Sequence, residues 1–321
     1  MTDRKRMANP ARHLRKLLAE RQCVVMPGVY DALSARLAEL AGFEAAAIGG
    51  FAVETALLGC PDLGIMTLTE LADHANRVAG AVEIPVISDV DTGFGGIHNV
   101  ARTVREMERA GIAGIHIEDQ ITPKRCPALD GRVVLPIDDA VIRIQAALEA
   151  RSEDFVIIAR SDADAVSYDE LVTRCRRYLD AGADLVLPML MVVNGKPLGE
   201  FSPDAQLNLY GKLVRDIDGP VMGLLVPDGY TDTDMAALGY KILGMPGLVL
   251  EAAANALKAF YADARTNGTG DAYFRRNPKV LTAGRNLMDV MRLGDFLAFE
   301  NRLQPLPLSA KTQPKKDRKQ D

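Results

Sequence analysis

The sequence has no tryptophan, and only 5% of its 321 residues are aromatic. An aromatic binding surface is therefore not expected, whereas 48% hydrophobic residues favour packed α/β layers around a large core. A basic excess is also missing, because 38 Lys and Arg stand against 43 Asp and Glu, a net charge of −5. This balance argues against nucleic acid as a partner.

Long apolar runs and paired cysteines are absent too. No apolar run approaches the roughly 18 residues that cross a bilayer, so we expect no membrane partner. The N-terminal residues 1–22 lack the apolar segment of a secretory signal. The four cysteines form no CxxC pair; they are Cys23, Cys60, Cys126 and Cys175. We therefore expect a protein without disulfides in the reducing cytoplasm.

Eight short apolar segments have the composition of strands buried on both faces of a parallel sheet. They lie at 24–27, 45–50, 85–91, 114–119, 155–162, 185–190, 220–226 and 240–245. Amphipathic helices are predicted between them, for example at 97–110 and 168–181, each followed by a glycine (Gly111 and Gly182) suited to a C-cap. This alternation predicts a (β/α)8 TIM barrel of the α/β class.

An open, doubly wound sheet is the alternative fold. That fold leads us to expect a glycine-rich phosphate loop after an early strand. The segment GGFAVETALLG after the second predicted strand does not follow the GxGxxG pattern.

The chain divides into four predicted segments. These are an N-terminal helical segment at 1–23, the barrel at 24–265, a C-terminal helical extension at 266–303 and a disordered tail at 304–321. The barrel does not need the extra helical pattern at 273–303, so we expect it to pack on a neighbouring subunit or on its own barrel.

Acidic residues end two neighbouring predicted strands, where a barrel gathers its catalytic groups. Asp89 and Asp91 are two residues apart and are expected to share a face, with Glu118 on the next strand. Carboxylates this close repel one another unless a cation or a proton lies between them. The cluster predicts a site for Mg²⁺ or Mn²⁺. The alternative is that these acids cap helices or pair with Lys and Arg.

Two further groups are candidates for chemistry. Arg160 ends the fifth predicted strand, and its guanidinium suits a substrate carboxylate. A structural salt bridge to Glu118 or Asp162 is the alternative for this residue. The segment 120–132 is predicted to be a mobile loop that closes over substrate. Lys124 and Arg125 are expected to lower the pKa of the Cys126 thiol in that loop, which could then act as general acid or base; inert packing is the alternative.

Several motifs in order carry a resemblance. They are PDLGIMTLTEL, SDVDTGFG, VARTVREMERAGIAGIHIEDQ, PKRC and ARSDA. Together they resemble the isocitrate lyase and phosphoenolpyruvate mutase superfamily, within it the short methylisocitrate-lyase and dimethylmalate-lyase group. The similarity runs from about residue 24 to 265. The resemblance implies a (β/α)8 barrel whose last helices swap between subunits, usually in a homotetramer.

The resemblance also implies residue roles. The metal would be bound directly or nearly so by Asp91, while Asp89 and Glu118 act largely through metal-bound waters. The substrate, a small carboxylic acid, would be bound by Ile48, Gly49, Gly50, Asp62, Arg125 and Arg160. The candidate catalytic residues are Cys126, Lys124 and Arg160.

The implied reaction is a Mg²⁺-dependent retro-aldol cleavage of a 2-hydroxy acid. It releases a 2-oxo acid such as pyruvate and leaves an enolate that Cys126 protonates.

Apolar residues replace polar ones where the resembling lyases contact substrate. They are Ile48, Pro127, Ala128, Met189, Leu224 and Val226. Burying an unpaired carboxylate there is unfavourable, so an alkylmalate-like acid is expected to fit better than methylisocitrate or isocitrate. Three alternatives stay open: an oxaloacetate-type decarboxylase, a phosphonopyruvate-type hydrolase or mutase, and a non-catalytic binder of small acids. The retained Cys126 argues against the phosphorus chemistries.

Overall fold

Eight parallel strands form a closed barrel in the computed structural model, which describes residues 7–277 and 287–303. The barrel strands are β1 Val24–Val29, β2 Ala46–Ile48, β3 Val86–Asp89, β4 Gly114–Glu118, β5 Val156–Ser161, β6 Leu185–Pro188, β7 Val221–Gly223 and β8 Tyr240–Met245. Pairing of β8 with β1, in which Ile242 lies opposite Val24, closes the barrel. The predicted TIM barrel is confirmed, and the open sheet is wrong.

Alternating side chains along each strand form two separate cores. In β5, Val156 and Ile158 point into the barrel, whereas Ile157 and Ala159 point outward against the helices. Every residue of this strand is buried, and its first four residues, Val156 to Ala159, form an apolar run.

Helices follow the strands and cover the outside of the barrel. They are Ala32–Leu40, Leu68–Ala81, Ile97–Ala110, Ile137–Ala150, Tyr168–Asp180, Pro203–Ile217, Asp232–Leu238 and Leu248–Asn267. The helix over 97–110 has the predicted bounds and ends at Gly111, whose φ of 86° is the left-handed conformation that favours glycine. Shorter pieces are a helix at Gly50–Val53, a π-helical turn at Glu54–Leu58, 3₁₀ turns at Ala163–Ala165 and Leu198–Glu200, and a hairpin of Val192–Val193 with Lys196–Pro197.

An N-terminal helix, Pro10–Glu20, closes the bottom of the barrel. Leu14 and Leu17 are buried in the interior core with residues that begin the strands, such as Val24 and Leu185. Its Asn9 cap accepts a hydrogen bond from the Arg12 amide. Because this end is filled, the opposite end of the barrel is left to form a site.

The C-terminal part is helical but poorly buried. The helix Leu248–Asn267 buries none of its residues, and Leu257 and Tyr261 are more than half exposed. Helices at Asp271–Arg276, Leu287–Val290 and Leu293–Leu303 follow. Val290 is buried, and its carbonyl accepts a hydrogen bond from Arg36 of the same chain. The predicted tail at 304–321 lies outside the described residues.

None of the helices in the two described ranges is long and apolar enough to cross a membrane.

Candidate active site

A cavity of about 300 Å³ opens at the carboxyl ends of the strands. Most of its polar residues come from one half of the barrel, β2 to β5 and the loops after them, whereas β6 to β8 and the loops after them contribute methionine and leucine. The polar side chains are Asp62, Asp89, His116, Cys126 and Arg160 from the first half and Glu251 from the helix after β8. This is the end of a TIM barrel at which catalytic groups gather.

Asp89 and Asp91 lie at a tight turn beneath the cavity. The strand β3 ends at Asp89, so the expectation that both acids belong to one strand is wrong. Asp91 has a φ of 47°, and its amide donates a hydrogen bond of 2.9 Å to Asp89 Oδ1. The turn brings the acids together by folding the chain back. Gly50 leaves room for them, because a Cβ there would lie 3.1 Å from Asp89 Oδ2 and 3.3 Å from Asp91 Oδ1.

Arg160 joins the acids from three elements. Its Nη2 lies 2.9 Å from Glu118 Oε2, and its Nη1 lies 3.5 Å from Asp89 Oδ2. Its Nε donates a hydrogen bond of 2.9 Å to Asp162 Oδ2. The alternative salt bridges to Glu118 and Asp162 are therefore both present, and Arg160 also lines the cavity. A substrate carboxylate would meet a guanidinium that is already held in a fixed orientation.

Lys124 is buried between two carboxylates. Its Nζ lies 2.9 Å from Asp91 Oδ1 and makes a second ion pair with Asp62. Burial alone would lower the pKa of Lys124, but Asp91 and its neighbours outweigh burial and raise it. Lys124 is absent from the residues that line the cavity. It therefore holds the acids in place as a charged ammonium and is not positioned to remove a proton from substrate.

The buried acids have unsatisfied oxygens. Asp91 Oδ1 and both oxygens of Glu118 have no hydrogen bond, although each acid has a cation nearby. Burial and the neighbouring Asp89 carboxylate raise the pKa of Asp91 to about 7. Burial also raises the pKa of Glu118 well above its usual range. Burial would do the same to Asp89, but His116 and Arg160 outweigh it and lower that pKa to about 2.

These unsatisfied oxygens fit a hard divalent cation, which would supply the missing positive charge. The carboxylates do not form a ready chelate, however. In the described part of the chain, no three His, Cys, Asp or Glu side chains converge closely enough to hold an ion together. A cation here would take few direct protein ligands and keep water or substrate oxygens, as Mg²⁺ does.

Cys126 lines the cavity and is partly buried. Burial, with a smaller contribution from the Asp62 carboxylate, raises the pKa of its thiol. The expected lowering of this pKa is wrong in its net direction, because the effect of Lys124, which does lower the pKa, is smaller than that of burial and Asp62. A protonated thiol can donate a proton to a carbanion, so the structure favours the acid form over the thiolate.

Arg125 is not brought into the cavity. Its side chain is exposed and lies along Gly131, while its backbone is fixed by two hydrogen bonds to Gln120. Arg132 is also engaged elsewhere, with Asp164 and Asp162. The mobility predicted for the loop at 120–132 stays a prediction.

Ile48, Gly49 and Gly50 line the cavity as expected, together with Met189 and Leu224. Val226 does not line it. Sequence reasoning missed several apolar residues that line the cavity, among them Phe51, Met191, Met222, Leu225 and Met245.

His116 was also missed as a site residue. Its Nδ1 lies 3.4 Å from Asp89 Oδ1, and burial lowers the pKa of the imidazole, while the Asp89 carboxylate opposes that shift. A signal was present, because His116 and Glu118 alternate on β4 and therefore share the inward face. Asp162, which orients Arg160, follows it at the same two-residue spacing, so the sequence carried a signal for this pair as well.

Comparisons with known proteins agree with this geometry. The family model described as phosphoenolpyruvate phosphomutase matches residues 14–264. An isocitrate lyase of Haloferax volcanii is 40% identical over 258 residues, covering 77% of this chain and 73% of the relative. A 2-methylisocitrate lyase of Aeropyrum pernix is 37% identical over 271 residues, covering 83% of each.

The crystal structure of a 2,3-dimethylmalate lyase superposes with a TM-score of 0.79 at 31% identity and covers 92% of this chain and 96% of that chain. The predicted enzyme class, a carbon–carbon lyase, is confirmed by these relatives. The chain belongs to the phosphoenolpyruvate mutase and isocitrate lyase superfamily.

Proposed function

We propose that the protein cleaves a malate-like 2-hydroxy acid by a retro-aldol reaction and releases a 2-oxo acid such as pyruvate. The observation that carries the proposal is the cavity of about 300 Å³, which Asp89, Cys126 and Arg160 line together. Relatives with several named substrates share the fold, so the choice of acid rests on this chain's own side chains.

We assign the divalent cation, Mg²⁺ or Mn²⁺, to Asp91, with Asp89 and Glu118 acting through its water ligands. The unsatisfied oxygens of Asp91 and Glu118 support this assignment. When bound, the cation would supply positive charge beside the substrate hydroxyl group, and the cleavage also requires a base that accepts the hydroxyl proton.

The chain's own groups then divide the work. Arg160, held by Asp162 and Glu118, binds the substrate carboxylate as a fixed fork. Lys124 is a positioning residue that holds Asp62 and Asp91. After the carbon–carbon bond breaks, the Cys126 thiol donates its proton to the carbanion of the departing acid. The raised pKa keeps the thiol protonated for this step.

The substrate choice follows from the apolar half of the cavity. Ile48, Met189 and Leu224 offer no partner for a third carboxylate, so we assign an alkylmalate-like acid in preference to isocitrate or methylisocitrate. The isocitrate and methylisocitrate lyases among the relatives make this a sharp distinction, which kinetics can decide.

A panel of 2-hydroxy acids with Mg²⁺, read by released 2-oxo acid, tests the reaction. We expect dimethylmalate-like acids to exceed methylisocitrate and isocitrate in kcat/KM. A tenfold preference for methylisocitrate would refute the substrate assignment. Release of phosphate from phosphonopyruvate, or binding without turnover of any acid, would refute the lyase assignment for this chain.

Asp91→Asn tests the metal site, and we choose asparagine because it tolerates the positive φ at this turn. We expect the variant to fold, to lose activity and to lose Mn²⁺ binding in calorimetry. Asp130→Asn, at an exposed acid of the neighbouring loop, is the matched control and should retain both. Activity in Asp91→Asn together with insensitivity of the wild type to chelation would refute the assignment.

We extend the proposal to assembly and location. The helix Leu248–Asn267 exposes apolar side chains that a second copy would cover in a homotetramer with swapped C-terminal helices. Light scattering should give four chains, and Leu257→Glu should lower that number. All four cysteines are unpaired in the structure, which supports a reducing, cytoplasmic location. Cell fractionation tests the location.

A further inference from the structure

The two halves of the cavity differ in character. Apart from Glu251 at the rim, the polar groups come from β2 to β5 and the loops after them, whereas β6 to β8 and the loops after them contribute a wall of methionine and leucine. That wall consists of Met189, Met191, Met222, Leu224, Leu225 and Met245. We call it the methionine wall. Met222 and Met189 are buried, so the wall is continuous with the barrel core.

No cation serves the methionine wall among the described residues. The lining groups that can carry positive charge are Arg160 and His116, and both belong to the polar half. Arg160 is also held by Glu118 and Asp162, each at 2.9 Å. A carboxylate against the methionine wall would be buried without a partner, which is strongly unfavourable.

The rim of the cavity adds a negative charge. Glu251 lies in the first turn of the helix Leu248–Asn267 and lines the same cavity. A substrate tail that ended in a carboxylate would meet this acid as well as the apolar side chains. The rim and the wall therefore select in the same direction, against a charged tail.

Size and flexibility indicate what the wall holds instead. A cavity of about 300 Å³ is at the lower end of the ~300–1,000 Å³ that enclose drug-sized ligands, and it exceeds the needs of a malate-like core. Methionine side chains are unbranched and adapt to irregular apolar shapes. Methyl groups alone would leave much of this space unfilled.

We propose that the methionine wall holds an uncharged alkyl tail, of butyl to hexyl length, on the malate-like substrate. This inference rests on the proposed function, since the tail is placed relative to a carboxylate on Arg160. It goes beyond that function by naming the substrate class as long-chain alkylmalates and by assigning specificity to Met191 and Glu251.

Binding of 2-alkylsuccinates tests the inference without turnover, because these acids lack the hydroxyl group that the cleavage requires. Calorimetry with Mg²⁺ would compare methyl-, butyl- and hexylsuccinate, and a hexylsuccinate analogue whose tail ends in a carboxylate. Each buried methylene should tighten binding by about fourfold until the wall is filled. The analogue with the charged tail should bind at least tenfold more weakly than hexylsuccinate.

Two variants link the preference to named residues. Met191→Gln keeps the length of the side chain but adds an amide, and it should reduce the gain per methylene. Glu251→Lys should strengthen binding of the charged-tail analogue by tenfold or more. Glu20→Lys, the same charge change at the exposed end of the N-terminal helix, should have no effect.

Turnover of 2-methyl-3-alkylmalates separates this inference from the proposed function. Tighter binding along the succinate series without cleavage of any malate would support the methionine wall and refute the lyase. Cleavage of dimethylmalate with no gain for longer tails, in binding or in kcat/KM, would overturn the inference and leave the lyase standing. Equal binding of charged and uncharged tails would also overturn it.

Discussion

Replacing Gly50 with alanine tests the metal site by adding one methyl group. The new Cβ would lie 3.1 Å from Asp89 Oδ2 and 3.3 Å from Asp91 Oδ1, closer than most Cβ contacts in proteins. The carboxylates must therefore move by a few tenths of an ångström. Gly50 begins the helix Gly50–Val53 without a positive φ, so alanine is compatible with its backbone.

The expected outcome separates function from stability. Mg²⁺ demands near-ideal geometry, and disturbing the groups around a metal typically reduces its affinity by roughly 10- to 100-fold. We expect Gly50→Ala to bind Mn²⁺ that much more weakly and to lose at least as much in kcat/KM. Stability should change little, because the helix preference for alanine over glycine is opposed by the crowding of the two carboxylates.

Gly49→Ala is the matched control for metal binding, because a Cβ at that position meets no atom within 4 Å. Mn²⁺ titration by electron paramagnetic resonance would measure both variants, and thermal unfolding would report their stability. If Gly50→Ala binds Mn²⁺ within about twofold of the wild type, the ion does not depend on the geometry of these acids. The reasoning from the two distances would then be refuted.

Three further predictions follow from the site and the core. Cys126→Ser should reduce kcat by about 10²-fold or more and leave Mn²⁺ affinity unchanged. The control Cys23→Ser should change neither quantity. Equal rates for Cys126→Ser and the wild type would show that the thiol is structural. Burial raises the pKa of the Cys126 thiol, so kcat/KM should stay constant up to about pH 8.5, the ordinary thiol pKa, and fall only at higher pH. A fall at lower pH in the wild type that is absent in Cys126→Ser would contradict the raised pKa. Leu14→Ala, at a fully buried position, should lower the free energy of unfolding by about 3–5 kcal/mol in urea titrations. The kcat of the folded enzyme should not change. A loss below about 1 kcal/mol would show that the N-terminal helix does not close the bottom of the barrel.

The barrel was predictable because each strand is a local apolar run and each helix has a local periodicity. The helix at 97–110 was predicted to its exact bounds, since its apolar stripe and the Gly111 cap lie within the segment itself. The acidic residues at the strand ends were predictable for the same reason. Parallel strands in a closed barrel must bring their carboxyl ends to one side.

Only the tertiary structure decided how these groups interact. Lys124 does not activate the Cys126 thiol, because burial and the Asp62 carboxylate outweigh its lowering of the thiol pKa. The fold places the Lys124 ammonium between Asp62 and Asp91, and Asp62 is 62 residues away in the chain. Arg125 has the same charge and is adjacent in sequence, yet its side chain lies outside the cavity. The burial of a group and its distance from other charges set its pKa and its ion-pair partner. The residues next to it in the sequence determine neither its burial nor those distances. The sequence by itself therefore determined the barrel and the end at which its acids gather. Packing between distant strands decided the protonation of the Cys126 thiol and the separation of the cavity into a polar and an apolar half.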